Sequence, residues 1–232
     1  MRFDPPLLRG RFQRRYKRFF ADVVLDDGVA ITAHTPNTGT MLSCKDPGAL
    51  AYVSPADNPK RKLRYTWELV QSGDVLVGVH TGRANGLAEE AIREGVIAEL
   101  QGYAALRREV PYGQNSRIDI LLQGAGRPDC YVEVKNVTLT QDGVALFPDA
   151  VTARGAKHMA ELAAMAQAGS RAVVLFVVQR QDCDAFSPAD EIDPAYGVAL
   201  RDAVAQGVEA LAYQALVSPE ELRLARALPV VL

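Results

Sequence analysis

Residues 172–178, AVVLFVV, form an unbroken apolar run. A strand with one wet face alternates apolar and polar side chains, so a run without alternation reads as a strand covered on both faces. Its neighbours supply the cover. TARGAKHMAELAAMAQAG, residues 152–169, places Met159, Leu162, Ala163 and Ala166 on one helical face and offers Gly169 as a C-cap. Upstream, AEEAIREGVIAELQGYAAL sets Ile92, Val96, Leu100 and Tyr103 at helical spacing, which predicts an amphipathic helix over 87–106 despite Gly95. RIDILL and YVEVKNVTL read as strands, separated by the turn residues Gly124, Gly126 and Pro128. The order is helix, strands, hairpin, helix, strand, so residues 83–232 are expected to form an α/β domain with a mixed sheet. A helix in PAYGVALRDAVAQG and apolar segments near 208–217 and 222–231 extend it.

Residues 1–82 read differently. GRFQRRY, FFADVVL, GVAITAHT, AYVSPA, KLRYTWELV and VLVGVH are short strands punctuated by turns, and Asp26-Asp27-Gly28 is a hairpin signal because Gly28 tolerates positive φ. That many short strands in so few residues predict a small barrel of the OB type. The barrel half is also the basic one: residues 1–80 carry 12 Lys+Arg against 8 Asp+Glu, whereas the chain as a whole has a net charge of -2. Such a balance excludes a protein that coats anionic polymers over its whole surface, but leaves room for a local basic patch. Three widely spaced cysteines, Cys44, Cys130 and Cys183, fit neither a disulfide framework nor a zinc site. No stretch reaches the roughly 18 apolar residues of a membrane span, and the first residues lack a signal-peptide pattern. A cytoplasmic protein with reduced thiols and no membrane partner is expected.

On the strand CYVEVKNV, residues 130–137, Tyr131, Glu133 and Lys135 share one face. Asp119 lies on the preceding strand, and a hairpin in suitable register brings it beside Glu133. Two carboxylates with the carbonyl of Val134 suit Mg²⁺ or Mn²⁺, hard cations that take oxygen ligands and keep waters on the substrate side. Lys135 beside such a metal can orient the attacking water and offset charge developing on a phosphate. Alone, Glu-x-Lys is also what an ordinary solvated pair looks like. Its context, with aliphatic neighbours, an acidic residue on the strand before, a helix upstream and a helix plus buried strand downstream, matches the PD-(D/E)XK nuclease core. Glu99 on the predicted upstream helix is the candidate for a further carboxylate, and Gln179 for a polar group at the end of the buried strand.

Cations cluster in two places. RGRFQRRYKRFF interleaves Arg9, Arg11, Arg14, Arg15, Lys17 and Arg18 with Phe12, Tyr16, Phe19 and Phe20, and NPKRKLRY adds Lys60, Arg61, Lys62 and Arg64. On a barrel these can supply phosphate contacts and stacking surfaces for a nucleic acid strand, or the aromatics can fill the barrel core while the charges face solvent. Arg154, Lys157 and His158 open the helix over 152–169, where N-terminal N–H groups also favour phosphate.

The stretches GRFQRRYKRF, HTPNTGTM, NPKRKLRYTWELV, YGQNSRIDILL, YVEVKNVTL, FPDAVTARGAKHMAEL and FVVQRQD resemble, in the same order, the sugar fermentation stimulation protein A family. The resemblance implies an OB-like domain followed by a nuclease-like domain with Asp119, Glu133 and Lys135 at its motif positions. It also implies DNA binding without strong sequence preference and a link to the regulation of maltose and other sugar use. Lys17 and the segment HTGRAN depart from the family pattern at the binding surface. Two functions follow: a DNA-binding regulatory factor, or an active Mg²⁺-dependent DNA or RNA endonuclease. A binding module for a small anion, with a structural cation, is the third. No Walker loop, nucleophile elbow, Rossmann fingerprint or helix-turn-helix pattern is present. The oligomeric state stays open, a homodimer included.

Overall fold

The computed structural model describes residues 1–56, 58, 60–113 and 116–232. Gln114 and Asn115 of YGQNSRIDILL, Pro59 of NPKRKLRY, and Asp57 lie outside the described residues.

The first strands are β1 (Leu8–Tyr16), β2 (Phe20–Leu25), β3 (Ala30–His34), β4 (Leu50–Pro55), β5 (Tyr65–Ser72) and β6 (Val75–Gly78). They pair in the order β3-β2-β1-β4-β5-β6, and a parallel bridge from His34 to Thr66 closes five of them into an OB-like barrel. Alternation along each strand turns Phe12, Ala21, Val23, Val53 and Trp67 inward, all essentially without solvent exposure. Phe12 stacks on Trp67 with ring centroids 4.7 Å apart, so this aromatic of the basic segment belongs to the core and not to a base-stacking surface.

The remainder comprises α1 (Ala84–Arg93), β7 (Ala105–Tyr112), β8 (Ser116–Gln123), β9 (Cys130–Val137), β10 (Leu139–Gln141), β11 (Val144–Phe147), α2 (Ala153–Gln167), β12 (Arg171–Val178), β13 (Ala185–Pro188), α3 (Pro194–Ala205), β14 (Glu209–Val217) and β15 (Leu222–Leu228). Its main sheet has the order β15-β14-β12-β9-β8-β7, with β9, β12 and β14 mutually parallel and the flanking pairs antiparallel. Strand β12 is buried on both faces. Val173, Leu175 and Val177 pack with Leu87, Ala88 and Ile92 of α1 on one side. Val174, Phe176 and Val178 pack with Met159 and Leu162 of α2 and Leu200 of α3 on the other. β10, β11 and β13 form a small separate sheet. Cys44, Cys130 and Cys183 are free and buried.

The helix expected over 87–106 is shorter and starts earlier. Gly95 takes φ 79°, its N–H reaches the Ile92 carbonyl at 3.2 Å, and the Val96 N–H reaches the Ala91 carbonyl at 2.9 Å. This is a Schellman stop, which a left-handed glycine permits without a Cβ clash. Residues beyond it form a 3₁₀ turn (Ala98–Leu100) and then β7. The helical spacing persisted because Ile92, Ile97 and Leu100 all face one apolar cluster, although only Ile92 is on the helix.

Barrel and sheet are joined at several points. Gly78 N–H donates to the Gln179 carbonyl (2.8 Å). Glu68 of β5, 1% exposed, accepts from Arg83 at 2.6 and 2.7 Å, from Ser54 at 2.7 Å and contacts His80 Nδ1 at 3.0 Å. The loop after β3 crosses to the other half: Thr40 Oγ1 donates to the Asp149 carbonyl (2.6 Å) and Met41 N–H to the Asp149 carboxylate (3.0 Å). Buried Arg180 donates to Ser43 Oγ (3.1 Å) and to the Thr138 carbonyl (2.8 Å) while forking onto Asp182.

Candidate active site

The β8–β9 hairpin pairs Leu122 with Cys130, Leu121 with Tyr131 and Ile120 with Val132, and there the ladder stops. The next rung would set Asp119 opposite Glu133. Instead the Asp119 side chain enters the gap: its Oδ2 accepts the Val134 N–H and its Oδ1 accepts Asn85 Nδ2 from α1, both at 2.8 Å. β9 continues against β12 as far as Val137, so the sheet splits on one side only. A strand residue directs its N–H and C=O to the same edge, so the Val134 carbonyl opens on the same gap as its N–H.

Glu133 and Lys135 point to the α2 side. Glu133 is 3% exposed, and its Oε1 accepts Lys135 Nζ at 2.7 Å and pairs with His158 Nδ1. Glu133 Oε2 is buried without a hydrogen-bond partner, as are both carboxylate oxygens of Glu161 and the hydroxyl of Tyr112. Lys157 Nζ lies 3.4 Å from Glu161 Oε1. Buried polar atoms are normally satisfied, so the orphaned Glu133 Oε2 and Tyr112 hydroxyl mark a place built for something polar or charged.

The electrostatics agree. Burial and then the charge of Glu133 push the Asp119 carboxyl above its ordinary value. Burial acts on Glu133 in the same sense, but His158 and Lys135 outweigh it and hold that carboxyl low. The Tyr112 phenol is pushed up by burial and by Glu133, Glu161 and Asp119. A cation between Asp119 and Glu133 would relieve their repulsion. Among the described residues no group of three or more His, Cys, Asp or Glu side chains is arranged to hold a metal. A metal here would have two carboxylates, a backbone carbonyl and otherwise water, the sparse oxygen set that suits Mg²⁺. The residues fit such an ion.

Other predicted residues lie elsewhere. Glu99 sits in the 3₁₀ turn, where its carboxylate accepts Tyr213 OH (2.6 Å) and its carbonyl accepts Arg171 (2.7 Å) at the start of β12. It is not part of this cluster, because the helix that was to carry it ends at Gly95. Gln179 is fully buried at the barrel junction, bonded to Asn136 and turned toward His80. Arg9 pairs with Asp26 (2.5 Å), and Arg14 pairs with Asp22 (2.8 Å) while lying over Tyr16. Arg11 donates to the Gly48 carbonyl. Arg15 of β1 ties together the carbonyls of Arg18, Asn37 and Gly39, and burial lowers its pKa. Lys17 and Arg18 form the β1–β2 turn with φ 46° and 64°.

Arg18 borders a cleft of about 410 Å³ between barrel and sheet, lined also by Asn37, Thr81, Asn136 and Thr152. Arg61 and Lys62 line a second hollow with His34 and His80. Arg64 has polar or electrostatic interactions of its own. Lys157 donates to Ser116 Oγ (3.3 Å), and Arg154 to His158 (3.3 Å). His158, expected beside Arg154 and Lys157 as a phosphate contact, is instead buried against Glu133, while Glu161, Tyr112 and Asn85 carried no sequence signal. The available signal was that His158 falls on the Met159–Leu162 stripe of α2, where a titratable side chain needs a partner.

Residues 14–79 match the SfsA N-terminal OB domain and residues 82–221 the sugar fermentation stimulation protein RE domain. A sugar fermentation stimulation protein homolog of Maricaulis maris is 59% identical over 94% of both chains. That of Geobacter sulfurreducens is 57% identical over 97% of this chain and 96% of its own. In three dimensions the chain resembles Pyrococcus furiosus SfsA, solved in complex with Ca²⁺, with a TM-score of 0.89, 28% identity and coverage of 100% and 98%. With both domains matched in order, the chain belongs to the sugar fermentation stimulation protein family.

Proposed function

We propose that the protein binds DNA through its barrel, without strong sequence preference, and carries a divalent-metal-dependent phosphodiesterase site. Asp119, Glu133 and the Val134 carbonyl hold Mg²⁺ or Mn²⁺. The observation that carries this reading is the buried, unpartnered Glu133 Oε2 at the split between β8 and β9, beside an Asp119 carboxyl whose charge it opposes. The Ca²⁺ of the Pyrococcus furiosus relative is a hard cation with the same taste for oxygen ligands. When bound, the metal supplies charge neutralisation at a phosphate and a more acidic water. Lys135, held by Glu133 Oε1, presents its ammonium to the same space and can orient that water or meet charge growing on the phosphate. A regulatory role in sugar use then operates through DNA, not through a sugar pocket.

The test is incubation of supercoiled plasmid, single-stranded DNA and RNA with Mg²⁺, Mn²⁺ or EDTA, using wild type and Asp119→Ala. Metal-dependent cleavage lost in the variant supports the nuclease reading; binding with no cleavage leaves a DNA-binding factor. Absence of nucleic acid binding at low salt would sink both.

Binding should weaken steeply with salt. The Arg18→Ala, Arg61→Ala double variant should reduce the slope of log affinity against log salt by about 2, since each lost phosphate contact removes about 0.9. Arg9 and Arg14, already paired with aspartates, should contribute less. Fluorescence anisotropy across a salt series measures both, and equal slopes for all variants would place the DNA on another surface.

A further inference from the structure

We infer that His158 is a positioning residue that holds Glu133 through Oε1 and so leaves Oε2 free to take a metal, and that Arg154 selects the imidazole tautomer this requires. The inference rests on the metal-site reading above. Arginine has only donors, so the 3.3 Å contact from Arg154 Nε makes His158 Nε2 the acceptor. In a neutral imidazole the hydrogen then sits on Nδ1, which faces Glu133 Oε1. Lys135 Nζ lies 3.3 Å from the same Nδ1. That approach brings donor against donor, and the ammonium bonds Glu133 Oε1 at 2.7 Å instead.

Glu133 Oε1 therefore receives two donors, while Oε2, equally buried, receives none. The carboxylate is left with one oxygen engaged by protein and the other available. His158, 8% exposed in its side chain, can do this because α2 sets it against β9 from the packed face that also holds Met159 and Leu162. A histidine that merely filled the core would need one satisfied nitrogen. Here both nitrogens are used, in a chain running from solvent-exposed Arg154 to a metal ligand.

Hydrogen-bond partners of metal ligands typically contribute about 10–100-fold to metal affinity. The experiment is a calorimetric Mn²⁺ titration of the full chain for wild type, Glu133→Gln, His158→Asn, His158→Gln and Arg154→Met, with thermal melts of each. Asparagine carries its amide N–H near the Nδ1 position, whereas glutamine carries it near Nε2. His158→Asn is expected to stay within about threefold of wild type, and His158→Gln to lose about 10-fold or more. Arg154→Met should fall between them. Equal affinity for the Asn and Gln variants, or a weaker Asn variant, with melts matching wild type, overturns the positioning role. If Glu133→Gln binds Mn²⁺ as wild type does, the metal-site reading itself fails.

Discussion

Replacing Glu68 with alanine is expected to lower the unfolding free energy by about 3–5 kcal/mol, the range for removing one partner of a buried ion pair. The carboxylate is 1% exposed and answers two Arg83 nitrogens, Ser54 and His80. Without it the Arg83 guanidinium, 24% exposed, keeps its charge beside the barrel with little water to replace the partner. Burial by itself would raise the Glu68 carboxyl. Hydrogen bonds from Arg83 and His80, with their charge, more than reverse this and bring it from 4.5 to about 2.

A carboxyl lowered on folding gives stability that is complete above its unfolded value and is lost as pH falls through the folded one. The window is therefore pH 4.5 down to about 2. The shift corresponds to about 3 kcal/mol over that window at 1.36 kcal/mol per unit. Urea unfolding of wild type and Glu68→Gln at pH 7 and at about pH 2.5 checks this. The gap should be large at pH 7 and shrink in acid; a gap independent of pH would show that packing, not charge, makes Glu68 matter.

On the nuclease reading, Lys135→Ala is expected to cut the turnover of metal-dependent cleavage by about 10²–10³-fold, the usual loss when one preorganised electrostatic donor is removed. KM for DNA should change little, because the ammonium serves charge that develops only during the reaction. Mn²⁺ affinity should also survive: Asp119, Glu133 and Val134 remain, and His158 still holds Glu133 Oε1. Lys135→Arg should rescue poorly. The side chain is 12% exposed and sits within bonding distance of Glu133 and His158, a space that suits a compact ammonium better than a planar fork. Single-turnover cleavage beside a metal titration separates these effects. Parallel loss of metal affinity would make Lys135 a structural support of Glu133.

The sheet was legible where chemistry and periodicity coincide. The run at 172–178 announced a strand covered twice, and β12 is that strand. Glu133 and Lys135 were picked out because charge on a buried strand has to be answered by something. That Asp119 comes to the gap beside Glu133 depends on register, which the length of the 124–129 turn decides and composition does not. Glu99 and the long helix failed together. Apolar spacing reports which residues face a core, and a 3₁₀ turn running along that core can imitate a helix. His158 reads from the sequence as a phosphate contact beside Arg154 and Lys157; that it meets Glu133 comes from 25 residues away on α2, so only tertiary contact makes them neighbours.

The barrel does not hang from the sheet by one linker. It is fastened through Glu68 to Arg83, through Thr40 and Met41 to Asp149, and through Ser43 to Arg180. Three anchors on separate elements restrain how one half can turn against the other. On the nuclease reading proposed above, a strand gripped by the barrel would meet Glu133 and Lys135 at a fixed offset, as against a ruler. Cuts on long substrates would fall at a constant spacing from the gripped segment, whatever the sequence between.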